Sequence, residues 1–199
     1  MIEWRYTRRP LAYQEGEALM KEKVEAIASG QSPEMIWGLQ HFPVYTAGTS
    51  AKSSDLLNPG SIPVHTVGRG GQYTYHGPGQ LVVYCFLRLS RYQNDIHLFI
   101  HTLEAWIQKT LAEWNLDAKR HGTGLWVEDK KLVSIGIRIS RGISWHGFAM
   151  NVDNDLEPFN GIIPCGLKDC DVTSLKDLGI SATCFDVWGK LKKNNQILL

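Results

Sequence analysis

The sequence predicts a mixed α+β fold, a mainly antiparallel sheet with flanking helices. Two observations carry this. Segments of helical period lie near the start, in the middle and at the end of the 199-residue chain, and runs of strand character fill the intervals between them. The order also lacks the strand–helix–strand alternation of a doubly wound sheet. No repeat, linker or low-complexity stretch interrupts it, so residues 1–199 read as one domain, long enough to bury roughly 70% of the surface its unfolded chain exposes.

The elements follow in order. Residues 10–30 open with Pro10, place Leu11, Leu19, Val24 and Ile27 near a helical repeat and close at Gly30, which predicts an amphipathic surface helix. Apolar runs at 35–39, 44–46, 63–67 and 80–89 are separated by Gly, Pro, Asn and Ser and read as strands. A second helix starts from Asn94-Asp95 as cap, with Phe99, Leu103, Trp106, Ile107, Leu111 and Trp114 at three- and four-residue spacing. Segments 124–128, 131–140 and 143–152 then form a meander of hairpins joined at Asp129-Lys130 and Arg141-Gly142. Residues 153–170 are irregular, too long for an ordinary connection, and such loops tend to carry function. Two short helices finish the chain: one is capped by Thr173 or Ser174 and ended by Gly179, the other starts at Ser181 and carries Phe185, Trp188 and Leu191.

Composition narrows the function. With 21 Lys+Arg against 20 Asp+Glu, the net charge of +1 argues against nucleic-acid binding by bulk charge. The start lacks a signal-peptide core, and the apolar run 81–87 is far shorter than the ~20 residues of a membrane span. The expectation is a soluble, cytoplasmic protein. Cys85, Cys165, Cys170 and Cys184 form no Cys-x-x-Cys pair, so neither a disulfide framework nor a structural zinc site is expected.

Three patterns could carry chemistry. The first is the glycine-rich run Gly68 to Gly79, where Arg69 and His76 offer polar groups amid backbone that can approach a ligand closely; a plain strand-to-strand turn is the alternative. It matches neither a dinucleotide fingerprint nor a Walker loop. The second is Cys165 between Pro164 and Gly166 in the long loop, a thiol placed to meet a substrate if a cation lies nearby, although most cysteines are inert packing. Cys85 and Cys184 fit the packing role, and Cys170 is flanked by Asp169 and Asp171, which disfavour a thiolate. The third is His97, His101 and Glu104 on one helical face, at metal-ligand spacing but better explained as a solvated polar face.

Four blocks resemble the octanoyltransferase, or lipoyl(octanoyl) transferase, family of lipoate biosynthesis: the run from Arg69 to Val82, the run from Lys131 to Gly136, His146-Gly147-Phe148-Ala149 with Asn151, and Pro164-Cys165-Gly166. The resemblance implies the catalytic-domain fold of biotin and lipoate protein ligases, which is class II synthetase-like. It implies an acyltransferase moving an octanoyl group from octanoyl-acyl carrier protein to a lysine of lipoyl domains, in 2-oxoacid dehydrogenase subunits and the glycine cleavage H protein, as the first step of endogenous protein lipoylation. Cys165 would be the nucleophile that becomes a thioester. Lys131 would lower its pKa and serve as a general base, with Lys130 beside it as the ambiguity. Arg69, Gly70, Gly71, Gln72, Tyr73, Thr74, Tyr75, His76, Ser134, Ile135, Gly136, Gly147, Phe148 and Ala149 would line the acyl and pantetheine site. Tyr73, Tyr75 and Phe148 are expected to wall the acyl slot, and N–H groups at Gly70-Gly71 or Cys165-Gly166 to meet the thioester oxygen. No metal, ATP or other cofactor, no nucleic acid and no membrane is expected. The rivals are an ATP-dependent lipoate ligase, a non-catalytic binding module and a cysteine thioesterase.

Overall fold

The computed structural model of the protein describes residues 1–164 and 171–198. Its strands are β1 (Glu3–Tyr6), β2 (Met35–Leu39), β3 (Val44–Ala47), β4 (Val64–Thr66), β5 (Tyr73–His76), β6 (Gln80–Phe86), β7 (Lys119–Arg120), β8 (Gly124–Val127), β9 (Lys130–Ser140) and β10 (Ile143–Asn151). Its helices are α1 (Tyr13–Ala28), α2 (Ile96–Ala112) and α3 (Cys184–Lys193). Seven strands form one sheet in the order β1-β2-β6-β10-β9-β8-β7, and β4-β3-β5 form a second. Only the β1–β2 and β3–β4 pairs are parallel among the described strands, so the sheet is mainly antiparallel as expected.

Local chemistry sets the boundaries. At the end of α1, Gly30 takes φ +77, the Gly30 N–H donates to Ile27 O and the Gln31 N–H to Ala26 O, which closes the last turn through a left-handed glycine. Asp95 caps α2 by accepting from the N–H groups of His97 and Leu98, and Thr183 and Asp186 form a capping box on α3. The β8–β9 and β9–β10 turns hold both central residues at positive φ, Glu128 (50) with Asp129 (63) and Arg141 (52) with Gly142 (75), matching the right-handed twist of hairpins.

The structure corrects several expectations. β1 had no signal, because four half-exposed residues carry too little pattern; with α1 and β2 it makes one parallel crossover at the sheet edge. The run before His76 contains strand β5 rather than only a turn. The first terminal helix is a single turn, in which the Leu178 N–H donates to Ser174 O before Gly179 reverses the chain at φ +78. On α2, Glu104 is not solvated: it is 2% exposed and bound by His101 (3.0 Å) and Arg120 (3.1 Å), an internal ion pair. No cluster of three or more metal-ligating His, Cys, Asp or Glu exists among the described residues.

The two faces of the large sheet are both covered. One packs Leu81, Val83, Cys85, Ile135, Phe148 and Met150 against Phe99, Leu103 and Trp106 of α2 and Trp188 of α3. The other packs Trp37, Val82, Tyr84 and Trp145 against Met20, Val24 and Ile27 of α1. Beyond α1 the second face is overlaid by β5 and the 68–72 loop, whose Gly70 N–H donates to Ile137 O, and a cleft remains between the layers. No helix among the described residues is long and apolar enough to cross a membrane. Trp106 is fully buried, and its indole N–H donates to Leu191 O, joining α2 to the end of α3. Trp106→Ala is expected to cost about 3–5 kcal/mol, read as a lowered midpoint of urea unfolding.

Candidate active site

Antiparallel strands send alternate side chains to opposite faces, and this assigns the cleft floor. Ala149 pairs with both Val82 and Ser134, and Gly147 with both Tyr84 and Gly136, so these six lie on the cleft side. At Gly147 a Cβ would meet Val83 O, so the glycine permits the close approach of β6, while Gly136 keeps the floor open. A Cβ at Gly136 would sit 2.9 Å from Arg69 Cδ, so the glycine makes room for the arginine stem. The Arg69 guanidinium is held under β3, donating to Thr46 O (2.9 Å), Thr46 Oγ1 (2.7 Å) and Gly70 O (3.0 Å).

Lys131 reaches the cleft by breaking the alternation. Leu125 pairs with Val133 and Trp126 with Lys131, so β9 carries one extra residue, Leu132, against β8. This bulge turns Leu132 into the core and Lys131 toward the cleft, a device common beside active sites. Lys131 is 3% exposed, whereas Lys130 is exposed to solvent, which separates the ambiguous pair by burial. The Lys131 stem runs over Gly124, where a Cβ would stand 2.8 Å from Lys131 Cε. Its backbone is tied to the chain beyond the long loop: the Lys131 N–H donates to Asp171 O (2.8 Å) and the Thr173 N–H to Lys131 O (3.0 Å). Pro164, at the other end of that loop, lines the cleft. Cys165 and Cys170 lie outside the described residues.

Residues 69–74, His76, 134–136 and 147–149 all border the cleft, so the structure brings together all but one of the described residues expected to line the site. The exception is Tyr75, whose ring packs with Tyr45 and Phe159 on the far side of β5. One expected wall residue is also corrected: Phe148 borders the cleft, but its side chain belongs to the cluster under α2, where its ring meets Trp106 edge-on at 5.7 Å; Ile135, expected only to line the site, borders the cleft and sends its side chain to the same cluster. Val82 and Ala149 provide the apolar floor instead. The Gly70 N–H is already engaged by Ile137 O, so it is no free oxyanion donor.

Comparison with known proteins decides the family. Residues 12–193 match the lipoyl protein ligase A/B catalytic domain. The chain is 45% identical over 193 residues to the octanoyltransferase of Paramagnetospirillum magneticum, covering 94% of this chain and 91% of that one. This chain belongs to the octanoyltransferase family. It is therefore an acyltransferase by membership. Among solved structures, a bi-partite lipoate protein ligase from Thermoplasma acidophilum has a TM-score of 0.72 at 16% identity, covering 98% of this chain and 83% of that one. Biotin protein ligase from Aquifex aeolicus has a TM-score of 0.55 at 13% identity, covering 99% and 68%. The expected biotin and lipoate ligase fold is thus present in this chain.

Much of the inner end of the cleft carries no sequence signal. Tyr13, Tyr84 and His146 line it, and His41 lies behind Tyr84. Tyr13 and His41 stand in unremarkable sequence, and Tyr84 looked like one more buried strand residue. His41 Nδ1 lies 3.0 Å from Leu11 O, which can only accept, so Nδ1 carries the proton and Nε2 accepts from the Tyr84 hydroxyl at 2.6 Å. By the same logic His76 Nδ1 donates to Gln80 Oε1 (2.7 Å), and the Gln80 amide reaches Asn151 Oδ1 (3.0 Å). Burial drives His41 down to about 4 and His76 to about 3, His76 also feeling His41. His146 falls to about 3 through burial and then the nearby Arg69 and Arg138 cations. All three are neutral near pH 7.

Cys85 and Cys184 are packing, as expected: burial raises the Cys85 thiol far above its ordinary value and pushes Cys184 up to about 12, with Asp153 adding to it. The depressed histidines fix an acid-side instability. The unfolded chain takes up their protons near pH 6.5 and the folded one only near pH 3–4, so stability present above pH 6.5 is lost as pH falls. Urea titrations are expected to show unfolding free energy dropping by up to about 1.4 kcal/mol per pH unit for each histidine between pH 6.5 and 4. The His41→Gln variant should show a shallower slope there.

Proposed function

We propose that this protein transfers an octanoyl group from octanoyl-acyl carrier protein to a lysine of a lipoyl domain, through a thioester on Cys165. The observation that carries the reading is the placement of Lys131: a buried lysine in the cleft, hydrogen-bonded through its backbone to Asp171 and facing a cleft wall that includes Pro164. Those two residues flank the segment 165–170, which begins with Cys165. The naming of relatives as octanoyltransferases supports the acyl group.

The reaction balances within this set of groups. An ammonium on Lys131 favours the Cys165 thiolate. The thiolate attacks the carrier thioester carbonyl, the carbon–sulfur bond to phosphopantetheine breaks, and the departing sulfur takes the Lys131 proton. Octanoyl-Cys165 remains beside a neutral Lys131 amine. The acceptor lysine amine then attacks the new thioester and gives its proton to Lys131, and Cys165 leaves as thiolate, restoring the starting pair. One thioester is exchanged for another and then for a more stable amide, so neither nucleotide nor metal enters the scheme. The apolar floor of Val82 and Ala149 suits the alkyl chain. Lipoyl domains of 2-oxoacid dehydrogenases and the glycine cleavage H protein are the acceptors proposed, in the cytoplasm.

Octanoyl-carrier protein and a lipoyl domain, mixed with the enzyme without ATP, should yield the octanoylated domain. A requirement for ATP would instead favour a ligase, and release of free octanoate a thioesterase. Cys165→Ala should lower transfer by at least about 10³-fold and abolish a one-octanoyl mass adduct. Lys131→Ala should slow alkylation of Cys165 at neutral pH while the exposed Lys130→Ala does not. Equal alkylation in all three proteins would remove Lys131 from that role.

A further inference from the structure

One end of the cleft is polar where an alkyl chain would finish. His146 sits inside β10, paired with Ile137, yet takes φ +58, a left-handed conformation that a non-glycine residue adopts only at a cost. Regular alternation would place His146 on the α2 side with Phe148. The distortion turns it to the cleft side instead, against Trp145 and Tyr84 (ring centroids 4.9 and 6.1 Å). There it is 3% exposed, and its Nε2 has no hydrogen-bond partner among the described residues. The Tyr13 hydroxyl repeats this: Tyr13 is 5% exposed, lines the same cleft and has no hydrogen-bond partner for Oη among the described residues. Buried polar atoms are ordinarily satisfied, and Gln72 Oε1 is a third orphan on the same cleft; such a set points to a polar ligand group, with Tyr13 and His146 at the inner end.

The strand register locates this wall. The Lys131 stem runs over Gly124, which pairs with Ser134, while His146 pairs with Ile137. Three residues of strand separate those levels, about 10 Å of floor. An extended eight-carbon acyl chain, seven bonds of about 1.5 Å at angles near 111°, spans about 9 Å. A chain that starts at the Lys131 level and runs along the strands would thus end near the level of His146. Tyr13 stands at the same end, its ring 5.4 Å from His41, whose Nε2 accepts from Tyr84 opposite Gly147.

We propose that Tyr13 and His146 form a polar end wall that selects the acyl chain by its terminus, accepting a terminal hydroxyl where an added methyl group is rejected. The inference rests on the octanoyl-transfer reading and specifies its substrate. A ninth carbon would press a methyl group against two polar atoms and leave them unpaired, which is the costly case. A hydroxyl in the same place can accept from Tyr13 and pair with His146 Nε2 in either role. In a uniformly apolar slot the preference would run the other way.

Carrier protein loaded with octanoyl, nonanoyl or 8-hydroxyoctanoyl groups tests this, because the last two differ only by hydroxyl for methyl at the chain end. Wild-type enzyme should transfer 8-hydroxyoctanoyl with about tenfold higher kcat/KM than nonanoyl. Tyr13→Phe keeps the ring that stacks on His65 and removes only the hydroxyl, and it should lower that ratio at least threefold. His146→Ala should lower it in the same direction, and if that variant does not fold, Tyr13→Phe alone decides. Octanoyl transfer with a nonanoyl preference, with no 8-hydroxyoctanoyl transfer, or with an unchanged ratio in Tyr13→Phe overturns the end wall and leaves octanoyl transfer standing. No transfer from octanoyl-carrier protein by wild type overturns both.

Discussion

The two-residue period of the strands governs both core and cleft. Along β6, β9 and β10 one set of side chains faces α2 and the other faces α1 or the cleft, and a fully buried strand such as β6 satisfies both sides at once. Leu81, Val83, Phe148 and Met150 hold the sheet to α2, while Val82, Gly147 and Ala149 floor the cleft. The cleft is therefore the reverse side of the core, and Gly136 makes room there for the Arg69 stem.

Two side chains enter the cleft only because that period is broken. The extra residue Leu132 shifts the parity of β9 so that Lys131 leaves the core face, and the left-handed backbone at His146 does the same on β10. Breaks of this kind cost stability, and long ladders on either side hold them: β10 is paired with β9 and β6 over most of its length. The cation and the neutral imidazole thus occupy opposite ends of one floor.

A hydrogen-bonded thread ties these parts together. His76 donates to Gln80, Gln80 to Asn151, and Asn151 to Thr173 O, while the Thr173 N–H donates to Lys131 O. The glycine-rich segment, the central strands and the chain after the long loop are in this way positioned against the same strand that carries Lys131. His41, His76 and His146 stay neutral chiefly because burial opposes their protonation, and the Arg69 cation adds to this at His76 and His146.

Local signals in the chain define the three long helices, most strands and many of the residues around the cleft. Caps such as Asp95, positive-φ turns such as Arg141-Gly142 and long apolar runs are local signals, and the blocks at 69–82 and 131–136 carry family identity in consecutive residues. Local sequence could not reveal β1, whose four residues hold no pattern apart from β2, nor show that Glu104 is sheltered by Arg120. Orientation also lay beyond it. Tyr75 and Phe148 look like cleft walls when only their neighbours in sequence are considered, yet the ladders turn them away, whereas Tyr13 lines the cleft and His41 backs it only because α1 and the turn after β2 pack against Tyr84. Which face a side chain serves depends on strand register, on one inserted residue and on one left-handed backbone angle, and these are fixed by partners distant in the chain.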